Sequence, residues 1–169
     1  MSNRTLRDGI VVGLIGYFAV AVLYAVFDLI AARGMLHTVD MLGKAVFRDL
    51  RDPSVLQMPM ELDVTAIIWY SGLHLVLSLA IGMIVTSLIA YSEQHPEKST
   101  LVLLILIAGF VVTVAAVGML TSGFRELLPW WSIVVANVLA VIFAGMYLVR
   151  QRPGTWERLS PFAGRSASA

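Results

Sequence analysis

Asp63-Val-Thr-Ala-Ile-Ile-Trp-Tyr-Ser-Gly-Leu-His74 opens an apolar run that continues through Ser78, Gly82, Thr86 and Ala90 to Tyr91. No Asp, Glu, Lys or Arg falls between Asp63 and Glu93. A bilayer core about 30 Å thick takes ~20 apolar residues of helix to cross. It offers no water, so the backbone must satisfy its own hydrogen bonds. The run is therefore expected to be a transmembrane helix over 64–91, with the Asp63 carboxylate capping its first free N–H groups. Ser78, Gly82, Thr86 and Ala90 recur every four positions and share one face. Small side chains there let a second helix approach closely. His74 falls on the same stripe, on the order of 12–17 Å along the helix from Asp63.

Composition extends this reading to the whole chain. Of 169 residues, 59% are hydrophobic and 14% charged. Soluble domains carry about 25% charged residues, so a water-soluble fold is excluded. A net charge of +1 gives no nucleic-acid footprint. The absence of cysteine rules out disulfides, thiolate metal sites and a cysteine nucleophile.

Upstream, residues 9–32 form an apolar run broken only by Asp28. It is longer than the 7–15-residue core of a signal peptide and is expected to be the first transmembrane helix. Gly9 and Gly13 make a small-xxx-small pair that Ala21 and Ala25 continue, with Tyr17 interrupting the row. Asp28 lies about a turn from the helix end, within expected reach of Arg33 or interfacial water.

Residues 33–62 are the one sizeable loop. Asp40, Lys44, Arg48 and Asp52 recur every four residues, with Val39, Leu42, Val46 and Leu50 on the opposite side. That pattern predicts an amphipathic helix over 38–52, capped by Thr38 and ended by Pro53. Such a helix lies along the membrane surface or against a partner. Residues 54–61 read as an extended link.

Downstream, Thr100 is placed to cap a third transmembrane helix over 101–120. A fourth is expected over 129–149, with Pro129 in its first position. Ser132, Ala136, Ala140 and Ala144 repeat every four residues along it, and Asn137 flanks them at mid-depth. The tail, 150–169, is basic at its start and ends in Ser-Ala-Ser-Ala, a composition typical of unstructured termini.

The expected architecture is an all-α integral membrane domain over 1–169. It has four transmembrane helices and one amphipathic interfacial helix between the first and second. Lys and Arg number seven on the side of the termini and five on the other, which places both termini in the cytoplasm of a bacterial-type inner membrane.

Three polar residues are expected inside the spans: Asp28, His74 and Asn137. Intramembrane ionisable groups carry a functional expectation. The plainer role for His74 is a hydrogen bond across the bundle to Ser71, Ser78 or Asn137. As a cofactor ligand it would bind a haem or pigment, but His37 and His95 lie outside the spans and supply no second axial ligand. Met35, His37, Met58 and Met60 are soft donors suited to Cu(I), or adaptable contact residues. No phosphate loop, HExxH, GxSxG or carboxylate pair is present. The sequence thus requires no cofactor or metal and gives catalysis no support. The expected partners are the lipid bilayer and other membrane subunits, not nucleic acid. The expected role is an accessory subunit of a larger membrane complex. The alternatives are a small oligomeric transporter or channel using His74 and Asn137, and a haem- or pigment-binding subunit with His74 as ligand.

Overall fold

The computed structural model describes residues 2–50, 52 and 61–154, with the backbone alone of Phe124. Five α-helices account for most of them: α1 Asn3–Ile30, α2 His37–Phe47, α3 Val64–Gln94, α4 Ser99–Leu120 and α5 Trp130–Gln151. No strand occurs among the described residues. The helices α1, α3, α4 and α5 are each long and apolar enough to cross a membrane.

Local chemistry sets the helix ends. α1 starts at Asn3 rather than at 9, because the Ser2 hydroxyl accepts the Thr5 N–H and caps the helix there. It stops at Ile30, where Ala32 (φ 54°) and Gly34 (φ 84°) take left-handed conformations and reverse the chain. A short 3-10 turn over Pro96–Lys98 leads into α4, so Ser99 rather than Leu101 opens that helix and Thr100 is no cap. Pro129 stands just outside α5 as its N-cap residue.

The bundle is built around the crossing of α1 and α3. A Cβ added at Gly13 would stand 2.7 Å from the Leu79 Cα. One at Gly9 would lie 2.9 Å from the Thr86 Oγ1, and one at Gly82 would run into the Gly9 carbonyl oxygen. The two backbones therefore touch, which only glycine permits. Thr86 is buried in the crossing and donates its hydroxyl to the Gly82 carbonyl at 2.9 Å. Helix α5 packs on the other side of α1 with Ser132 and Ala136 buried and Ala140 and Ala144 partly so. Ser78 and Ala90 of α3 are also half-buried. α4 is attached lightly: Ser99 and Val102 are its only fully buried residues.

The second helix departs most from its expected form. It spans His37–Phe47, not 38–52, and Leu36, not Thr38, is its N-cap residue. Asp49 takes a left-handed φ of 53°, and the Leu50 N–H turns back to the Lys44 carbonyl. Arg48 and Asp52 therefore lie beyond the helix. Pro53, residues 54–60 of the expected 54–61 link and the tail from 155 lie outside the described residues. The side of α2 expected to be solvated is buried at Asp40 and Lys44 as well as the apolar side at Met41, Leu42 and Ala45. α2 packs on the start of α3 so tightly that a Cβ at Gly43 would sit 2.6 Å from the Ala66 carbonyl oxygen. Met41, Leu42 and Ala45 join Leu128 and Ile133 in a small core at that end of the bundle.

Candidate functional site

Among the described residues the middle of the bundle holds no joined polar site. The His74 ring packs 5.1 Å from the Tyr17 ring and 6.3 Å from the Tyr70 ring, centroid to centroid. It forms no hydrogen bond with Ser71, Ser78 or Asn137. Asn137 turns back on its own helix, its Nδ2 donating to the Ile133 carbonyl at 2.8 Å. No three His, Asp or Glu residues converge in a way that could hold a metal ion among the described residues. Met35 is exposed while His37 is buried, and Met58 and Met60 lie outside the described residues.

The polar chemistry is at the two ends. At the α2 end, Asp28 is buried and accepts both the backbone N–H and the hydroxyl of Thr38, each at 2.7 Å. The expected Asp28–Arg33 pairing is not what forms. The left-handed turn at Ala32 and Gly34 folds the start of α2 back onto the last turn of α1, which puts Thr38 on the carboxylate. Arg33 reaches across instead, donating to the Leu127 carbonyl at 2.9 Å and lying over the Phe27 ring.

Asp40 joins α2 to α3. It accepts from Lys44 Nζ at 2.7 Å and from the Asp63 backbone N–H at 2.8 Å. Lys44 also donates to the Glu61 carbonyl. Asp63 in turn caps α3 by accepting the Ala66 N–H at 2.9 Å, and accepts from Arg48 Nε at 2.9 Å. The Arg48 hydrogen bond, with the cap behind it, holds the Asp63 carboxyl below its usual pKa.

His37 is the exception in this network. Only 3% of it is exposed, and its buried Nε2 has no hydrogen-bond partner. Burial pushes its pKa down from 6.5, the nearby Asp28 and Asp40 pull it up, and Arg33 and Lys44 add to the burial effect. Above pH 6.5 the ring is neutral in both folded and unfolded chains. Below it, the unfolded chain takes up a proton that the folded chain resists, so stability falls as pH falls from 6.5 through the lowered folded value. His37→Gln removes this contribution. Melting curves from pH 7.5 to 5 in detergent are expected to show a shallower acid decline in the variant, by at most about 1.4 kcal/mol per pH unit. Parallel declines would refute the assignment.

At the opposite end, Asp8 is fully buried at 0% exposure. Arg152 donates to one of its oxygens through Nε at 3.1 Å and Nη2 at 3.0 Å. The Tyr147 hydroxyl donates to the other at 3.3 Å. The second terminal nitrogen of Arg152 donates to Glu93 at 2.7 Å, and Arg4 donates to the Gln151 carbonyl. One buried guanidinium thus ties α1, α3 and the end of α5 together. Sequence reasoning placed Asp8 and Arg152 outside the spans and assigned them no contact. The available signal was positional: Asp8 shares a helix face with Thr5 and Val12, which are buried with it.

In both clusters the carboxylates are filled by donors from the chain itself, so they serve as clasps between helix ends. No protein-family model, curated protein or solved structure matches this chain.

Proposed function

We propose that the chain is an integral membrane protein of the bacterial inner-membrane type, with both termini cytoplasmic. In this placement α2 lies in the outer interface, across one mouth of the bundle. Its role is that of an accessory subunit whose outer surface seats other membrane subunits.

The observation that supports this reading is the state of α4. It has no charged side chain, and its small residues Ala108, Gly109, Ala115 and Ala116 all face outward. A Cβ at Gly109 would meet nothing within 4 Å. Lipid gives helices no hydrophobic drive to associate, and small residues mark the faces where helices do associate. The transport and cofactor readings each ask for a polar or ligating group joined to His74, and its ring packs against those of Tyr17 and Tyr70 with no hydrogen bond to either hydroxyl.

Extraction from the native membrane in mild detergent is expected to yield the chain with stoichiometric membrane partners and no visible absorption band of its own. Gly109→Leu with Ala116→Leu is expected to cut the co-purified partner about tenfold, the change 1.4 kcal/mol produces. The chain's own helix content should stay intact. A chain that migrates alone or only with copies of itself would overturn the accessory role.

A further inference from the structure

α1 and α5 are clasped at both ends and part in between. Asp8 with Arg152 and Tyr147 closes one end. At the other, the Tyr24 and Ser132 hydroxyls lie 3.3 Å apart and the Phe27 ring stands edge-on to Trp131. Between these clasps runs a groove of about 660 Å³, open to the outer surface and lined only by apolar residues. Val11, Phe18, Val22 and Val26 form its α1 wall, and Leu139 and Phe143 its α5 wall. From Val11 to Val26 it follows about 22 Å of helix rise.

The mouth at the terminal side is basic. Arg7 stands four residues before Val11 and Arg150 seven after Phe143, spacings that continue the two walls on the same helix faces. The Arg7 side chain is 65% exposed, and Arg150 is exposed too. Asp8, the acid beside them, is wholly buried; Arg152 holds one of its oxygens, and Arg7 Nη2 lies 3.6 Å from the other. The groove thus joins an apolar slot of hydrocarbon length to two exposed guanidinium groups, Arg150 and Arg7, the latter with one edge on Asp8.

We propose that this groove binds one anionic phospholipid, an acyl chain lying between α1 and α5 and the phosphate against Arg7 and Arg150. Charge favours an anionic lipid over a second copy of this chain, whose own groove mouth carries the same exposed arginines. Each basic side chain at a membrane surface strengthens the binding of anionic lipid about fivefold, so two give about thirtyfold. The inference rests on the membrane placement proposed above and is independent of the accessory role.

The test is native mass spectrometry of the purified full chain released from mild detergent. Phosphatidylglycerol and phosphatidylcholine with identical acyl chains are the lipid probes, and inorganic phosphate is a separate probe. The wild type is expected to retain phosphatidylglycerol about thirtyfold over phosphatidylcholine. Arg7→Gln with Arg150→Gln should erase that preference and leave weak retention of both lipids. Ala19→Phe, which fills the slot from α1, should lower retention of both lipids about tenfold. Helix content and melting of these variants serve as folding controls, Arg7 being exposed and Ala19 lining the open groove.

Equal retention of the two lipids by the wild type would overturn the proposal. So would a preference that survives the double arginine variant, retention unmoved by Ala19→Phe, displacement of lipid by inorganic phosphate, or a second copy of the chain in place of lipid. Failure of the membrane placement itself would look different: the chain would stay in solution without detergent.

Discussion

Gly82→Leu collapses the bundle. The substitution puts a branched side chain where a single Cβ already meets the Gly9 carbonyl oxygen. The obstacle is backbone on a facing helix, so no rotamer change relieves it and α1 must move away from α3. Overpacking in a well-filled core costs about 1–3 kcal/mol when side chains can adjust. A backbone collision sits at or above the top of that range. For a chain of this length each kcal/mol lowers the melting temperature by about 2–4 °C, so a fall of roughly 6–12 °C or more is expected. Gly72→Leu is the matched control, because a Cβ at Gly72 meets nothing within 4 Å. Thermal melts followed by circular dichroism in detergent separate the two. Equal melting temperatures for Gly82→Leu and Gly72→Leu would show that the α1–α3 crossing does not hold the fold together.

Arg152→Met destabilises the bundle by stripping Asp8 of its closest partner. The carboxylate is fully buried, and Arg152 supplies its two shorter hydrogen bonds. Removing one partner of a buried ion pair typically costs about 3–5 kcal/mol. Arg7 at 3.6 Å and Arg4 at 4.0 Å stay beside Asp8 but are more than half exposed, so they replace Arg152 only in part and the lower end of that range is expected. The same change also removes the donor to Glu93. Replacing both members with apolar residues of similar size is often neutral, so Asp8→Leu with Arg152→Met is expected to melt close to the wild type. The double-mutant cycle measures the coupling directly. A double variant as unstable as the sum of the single ones would mean that Asp8 and Arg152 act separately, contrary to the geometry.

The four long helices were legible from the sequence because a charge-free apolar run of that length has few other stable forms. The glycines at 9, 13 and 82 were legible as close-approach positions for the same reason, since small-residue stripes are how apolar helices find each other. What was not legible depended on where the turns send the chain. Asp28 was read with Arg33 because they are near in sequence. The left-handed residues Ala32 and Gly34 deliver Thr38 to it instead, and Ala32 gives no advance sign of a positive φ. The polar stripe of α2 looked solvated because Asp40 and Lys44 are charged. Their burial depends on Asp63 and Glu61 arriving from the far end of the loop. His74 was read through its hydroxyl and amide neighbours. Tyr17, noted only as a break in a small-residue row, is what its ring meets. The helix-face position of Asp8 hinted at its burial, but nothing local named its partner, which is 144 residues away.

That separation has a consequence for how the protein is made. Chains emerge from the ribosome in order and fold as they emerge. Asp8 is synthesised 144 residues before Arg152, which follows only after the α5 segment. Until then the guanidinium groups near the carboxylate are those of Arg4 and Arg7 on its own helix. The crossing of α1 with α3 needs no part of α5, so the order of synthesis leaves the Asp8–Arg152 clasp as the last of these contacts to close.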